Sequence, residues 1–176
     1  MTQPNQRLPK GERLTQRCKT LAAVVRKLRP LYQKKNAITT QKDLLETIIG
    51  AAIWYLPECD ELFSGKMSSK ALKACERDRT EWGRLTKDHC YTRKRAGADL
   101  LKSKAKMTGV KMMDGYKRTW GRYHRVTKKE HHLITALHKK RVFRMAYKKA
   151  GVNLVNAPDK FWKRKRTLRA PLGPRK

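Results

Sequence analysis

The chain has 176 residues, with 45 Lys and Arg against 14 Asp and Glu and a formal net charge of +31. That length suffices for one domain with a core plus tails, and that charge repels itself in a compact fold unless a polyanion neutralises it. Each phosphate met by Lys or Arg also releases condensed counterions, so the composition predicts nucleic acid as the partner.

A membrane span is excluded, because the longest apolar run, residues 48–56, is far shorter than the roughly 20 residues a spanning helix needs. The opening MTQPNQRLPKGERL holds no apolar segment of a secretory signal, and the expectation is a cytoplasmic protein. Cys18, Cys59, Cys75 and Cys90 show no C-x-x-C spacing and read as reduced thiols. Cys18 and Cys75 sit on apolar stripes, as core residues do.

Residues 1–12, with Pro4, Pro9 and Gly11, read as a disordered basic lead-in. A helical domain is expected over 13–82. Leu14, Cys18, Leu21, Val25 and Leu28 recur at helical spacing, and Pro30 is expected to end that helix. Its opposite face carries Arg17, Lys19, Arg26 and Lys27, which suit either a phosphate backbone or solvent.

A second helix is expected after Thr40, with Asp43 as its capping partner and an apolar stripe from Leu44 to Leu56. More than half of the acids lie between Asp43 and Glu81. Residues 43–81 are therefore expected to turn away from nucleic acid, towards another protein or a second copy of the chain. Ser68 or Ser69 caps a short helix bearing Leu72 and Cys75.

The stretch LTKDHCYTRKRAGADLL, residues 85–101, follows. Leu85 and Thr86 are expected to open a short strand that delivers Asp88 and His89 to its end. Residues 95–101 read as a small helix or turn, and a loop with Gly109 and Gly115 comes next. Arg122-Tyr123-His124-Arg125-Val126 is strand-like. Thr127-Lys128-Lys129-Glu130 is a capping box, predicted to start a helix running to about residue 150 with Leu133, Ile134, Leu137, Val142 and Met145 turned inward and Gly151 as its stop. His131 and His138, seven residues apart, share a face of it. Residues 152–176 read as a basic tail that stays disordered until it meets phosphate.

Strand, excursion, strand and helix over residues 83–151 make a candidate ββα-type finger. With Asp88-His89 on the first strand and histidines on the helix, the segment over residues 80–145 resembles the HNH, or His-Me finger, endonucleases of phages and mobile introns. Asp88-His89 resembles that family's D-H pair and His138 its final histidine. Glu130-His131 stands where the family has a Glu-Asn or similar pair. Arg93-Lys94-Arg95 is also the kind of run found there. The chain departs from the pattern in having no Asn at the middle position and in placing His131 a full 42 positions after His89. The resemblance implies His89 as general base, His131 orienting it, and Asp88 with His138 holding Mg²⁺ or another divalent ion against the scissile phosphate.

The fold expected is mainly α with a small β element. The function expected is nucleic-acid binding, DNA ahead of RNA, extending to metal-dependent DNA cleavage. The alternative is a non-catalytic structural binder, associated with nucleoid or ribosome. Candidate phosphate contacts are Arg93, Lys94, Arg95, Arg122, Arg125, Lys139, Lys140, Arg141, Lys163, Arg164, Lys165 and Arg166. Tyr116, Trp120, Tyr123, Phe143, Tyr147, Phe161 and Trp162 interleave with the cations and can stack on bases. Trp120 and Phe143 are assigned to the core first.

Overall fold

The computed structural model describes residues 9–140, 142 and 145–162. It is mainly helical, with one small sheet. In chain order come α1 (Lys10–Gln33), α2 (Thr39–Trp54), a 3₁₀ turn (Asp60–Leu62), β1 (Phe63–Ser68), α3 (Ser69–Arg77), α4 (Glu81–Arg84) and β2 (Thr86–His89). Then follow α5 (Arg93–Lys102), α6 (Gly109–Gly115), a π-helical turn (Tyr116–Trp120), β3 (Tyr123–Val126), α7 (Lys128–Lys139), α8 (Ala146–Lys149), β4 (Leu154–Asn156) and α9 (Asp159–Trp162). The strands are ordered β2-β3-β1-β4. The chain folds as two compact units, residues 1–64 with 87–124 and residues 65–86 with 125–176, whereas the sequence suggested contiguous segments 1–12, 13–82, 83–151 and 152–176.

The first unit is built on α1, α2, α5 and α6. Leu14, Cys18, Leu21, Ala22 and Val25 of α1 pack with Ile49 and Ile53 of α2, Ala96, Leu100 and Leu101 of α5, and Met112. α5 joins these helices because two glycines let backbones touch. A Cβ at Gly50 would collide with the Arg93 carbonyl, and one at Gly97 with the Glu46 carbonyl. That crossing is the physical reason α5 belongs with the N-terminal helices.

Pro30 does not end α1, which runs to Gln33. A proline this late costs a backbone hydrogen bond, and the turn beyond it is held by tertiary contacts instead. Tyr32 is buried and donates to Glu46 Oε1 at 2.6 Å, while Gln33 Nε2 donates to the Leu101 carbonyl at 2.8 Å. Helix α1 also takes in Gly11 and Glu12, placed in the lead-in by sequence; residues 1–8 lie outside the described residues.

Asp43 does not cap α2. The helix starts at Thr39 with no side-chain cap, and Asp43 pairs with Lys94. The expected loop at 109–115 is α6, with Thr108 Oγ1 accepting from Lys111 N–H at 3.2 Å and Met112 fully buried.

In the second unit, β1 and β4 pair antiparallel with Met67 opposite Val155. Val126, Ile134, Ala146 and Val152 form one buried apolar cluster there. Ser68 caps α3, accepting from Ala71 N–H at 3.0 Å, and the capping box at Thr127–Glu130 starts α7. The two caps are one network, because Ser68 Oγ donates to Glu130 Oε2 at 2.6 Å.

The long helix expected to reach residue 150 stops at Lys139, and α8 begins at Ala146. Its buried stripe is Glu130, Ile134 and half-buried Leu137, so Leu133 and Met145 are exposed rather than inward. Gly151, at φ +65°, closes α8: Val152 N–H donates to the Tyr147 carbonyl and Gly151 N–H to that of Lys148. Residues 152–162 of the expected tail are ordered, and Trp162 Nε1 donates to the Ala157 carbonyl at 3.3 Å; residues 163–176 lie outside the described residues.

Candidate nucleic-acid interface

The glycine crossing sets the first turn of α5 beside the last turn of α2, and the cation run falls there. The Arg93 guanidinium lies 3.4 Å from the centre of the Trp54 ring. The His89 ring lies 4.1 Å from the same ring, tilted by 32°. Two groups this close to one ring centre must occupy opposite faces, so Arg93, Trp54 and His89 form a stack. Tyr123 meets His89 edge-on at 6.1 Å, and Lys87 lies 5.4 Å from the Tyr123 centre. One residue further along the helix, Lys94 pairs with Asp43. Arg95 lies 4.8 Å from the Tyr91 ring, whose hydroxyl donates to Asp99.

Burial in this stack pushes the His89 imidazole below its usual value, and Arg93 and Lys87 push the same way against Asp88 and Glu58. His89 is therefore held neutral at pH 7, and its Nδ1 is buried with no hydrogen-bond partner. Asp88, beside it on β2, is buried.

Of the other predicted cations, Arg122 donates to the Ser64 carbonyl at 3.3 Å. In the second unit Arg125 donates to the Leu85 carbonyl at 2.8 Å and lies 5.2 Å from the Trp82 ring, so it is tied into the fold. Lys139 and Lys140 are exposed at the C-terminal end of α7, where cations suit the helix dipole. Arg141, Lys163, Arg164, Lys165, Arg166 and Phe143 lie outside the described residues.

The basic face of α1 is partly structural. Arg17 Nη1 donates to the Tyr55 carbonyl at 2.5 Å and Arg26 Nη1 to that of Met107 at 2.7 Å. Arg29 reaches the Ala105 and Leu100 carbonyls at 2.6 and 2.9 Å. Arg29 and Gln33 thus satisfy the orphan carbonyls that end α5.

His131 and His138 are half-exposed on α7 in the second unit, whereas Asp88 and His89 belong to the first. Among the described residues, no three His, Cys, Asp or Glu side chains group in a way that would hold a metal ion. Asp88 and His138, the metal ligands that the HNH resemblance implies, belong to no such group. None of these helices is long and apolar enough to cross a membrane.

Sequence reading missed Trp54, Lys87 and Tyr91 as members of this surface. Trp54 lies within the apolar run 48–56 and reads as core, yet it is 38 % exposed at the helix end. The signal for Tyr91 was available: it lies four residues before Arg95, within the basic stretch. Comparison with protein-family models, curated proteins and solved structures finds no match.

Proposed function

We propose that this chain binds nucleic acid, DNA first, through an extended basic surface, with the Arg93–Arg95 turn as one of its contact points. The observation that carries the reading is where the carboxylates go. Asp43, Glu58, Glu61, Glu81 and Asp114 pair with Lys or Arg. Glu46, Asp78, Asp99 and Glu130 accept hydrogen bonds from hydroxyl groups. With these nine of its fourteen acids engaged within the chain, the protein keeps a surplus of 31 positive charges that only an external polyanion matches.

The stack supports the same reading. A guanidinium laid on an aromatic face keeps its charge and presents its N–H edges outward, the arrangement that phosphate accepts. The first turn of α5 holds three cations and no acid, at the helix end where the dipole favours anions. A phosphate backbone there relieves an arrangement that is unfavourable in the free protein.

Titrating labelled duplex DNA and single-stranded RNA across a range of salt tests this. Log Kobs should fall steeply with log salt for DNA, and Arg93→Gln with Arg95→Gln should make the slope shallower by about 2, at about 0.9 per phosphate. Affinity that ignores salt, or no binding to either polymer, overturns it.

A second, hydrolytic reading is favoured by one observation: His89 is held neutral beside a buried carboxylate, as a general base must be at neutral pH. Nicking of a plasmid library with a divalent ion, abolished in His89→Ala while affinity persists, is the expected result. A wild-type protein that binds tightly and leaves DNA and RNA intact with every ion tried ends that reading.

A further inference from the structure

Three side chains outside the stack converge within the first unit: Ser64 on β1, His124 on β3 and Cys90 just past β2. Ser64 Oγ lies 2.6 Å from His124 Nδ1. Cys90 Sγ lies 3.4 Å from His124 Nε2 and 3.7 Å from Nδ1, so it is nearer the nitrogen that Ser64 does not engage. The backbone fixes this register, since Cys90 N–H donates to the Arg122 carbonyl at 2.9 Å. Arg122 Nη2 also donates to the Ser64 carbonyl, which sets a permanent positive charge beside the group.

We propose that Cys90 is a covalent modification site: a thiol activated by His124, with Ser64 positioning the imidazole, that exchanges with small anionic disulfides. The near-equal distances set Sγ over the imidazole face, and rotation of the exposed Cys90 side chain brings the thiol into line with Nε2, which takes its proton in the tautomer whose Nδ1–H donates to Ser64 Oγ. The Cys90 sulfur attacks one sulfur of the disulfide, a new S–S bond forms and the old one breaks. The departing thiolate takes the proton back from Nε2, so the products are a mixed disulfide on Cys90 and one free thiol. No external oxidant is needed, and a second thiol reverses the step.

Selectivity follows from burial. Cys18 and Cys75 are buried, Cys59 is half-buried and Cys90 is exposed. Burial also pushes the Cys18 and Cys59 thiols up to about 11, and raises Cys75 as well, so these three stay protonated and slow. An anionic disulfide is favoured over a neutral one because the chain carries a net charge of +31.

The test uses the full chain, glutathione disulfide as the anionic probe and hydroxyethyl disulfide as the neutral one, with intact-mass and peptide mass spectrometry as readout. The expected result is one adduct, on Cys90, formed about tenfold faster than on an unactivated peptide cysteine. The glutathione rate should drop with added salt and the neutral probe's rate should not. Cys90→Ser should remove the adduct. His124→Gln should slow Cys90 about tenfold while its circular dichroism stays native, and Ser64→Ala should slow it less. Should His124→Gln fail to fold, Ser64→Ala and the wild-type comparison of Cys90 with the peptide decide. Equal labelling of several cysteines, a Cys90 rate matching the peptide, or an unchanged rate in a folded His124 or Ser64 variant overturns the proposal.

Discussion

At the scale of single residues, His89 couples the stack to pH. Desolvation between Trp54 and Tyr123 disfavours the imidazolium, so the folded chain takes up this proton only below the usual value of 6.5 that the unfolded chain keeps. Between those two values the unfolded state binds more protons, and stability falls as pH falls. The melting temperature is therefore expected to drop as pH is lowered from about 7.5 to about 5.5, and His89→Gln should flatten that slope. Glu61 acts in a separate window. The Lys117 hydrogen bond holds its carboxyl down to about 2, so its contribution is lost only as pH falls from 4.5 towards that value. Identical pH profiles for wild type and His89→Gln above about pH 5.5 would show that the buried imidazole is not the titrating group.

At the scale of elements, local signals that involve neighbouring residues were legible and tertiary ones were not. The capping box at Thr127–Glu130, the Ser68 cap, the short strands at Thr86–His89 and Tyr123–Val126, and the Gly151 stop all stand in the structure. What periodicity could not reveal is that Tyr32 and Gln33 carry α1 past Pro30, because that outcome depends on distant partners, or that α7 breaks after Lys139. The Gly50–Gly97 crossing is of the same kind: in sequence they are two unfavourable helix glycines, and in space they are where two backbones meet. Gly97→Ala should therefore destabilise the protein by about 1–3 kcal/mol, although alanine is the better helix former by about 1 kcal/mol. Urea unfolding checks the sign, and a stabilised Gly97→Ala would mean that α5 and α2 do not approach this closely in solution.

At the scale of the whole molecule, part of the positive charge is structural. Arg17, Arg26, Arg29 and Arg125 spend donors on backbone carbonyls and act as braces, a use that composition cannot distinguish from phosphate binding. The residues after Trp162 hold seven Lys and Arg and not one acid. Phe161 stacks on Trp82 with centroids 6.2 Å apart, and Arg79 Nη2 donates to the Lys160 carbonyl at 2.6 Å. Two truncations separate the roles. Removing residues 163–176 should weaken DNA binding and cut the salt slope by up to about 6, at about 0.9 per phosphate, with urea unfolding unchanged. Removing residues 160–176 should lose the same binding and also lower stability by about 1–3 kcal/mol, because the Phe161–Trp82 contact and the Trp162 hydrogen bond go with it. Equal stability of the two truncations would show that α9 adds nothing to the second unit. An unchanged salt slope in the shorter truncation would place DNA binding wholly on residues before Lys163.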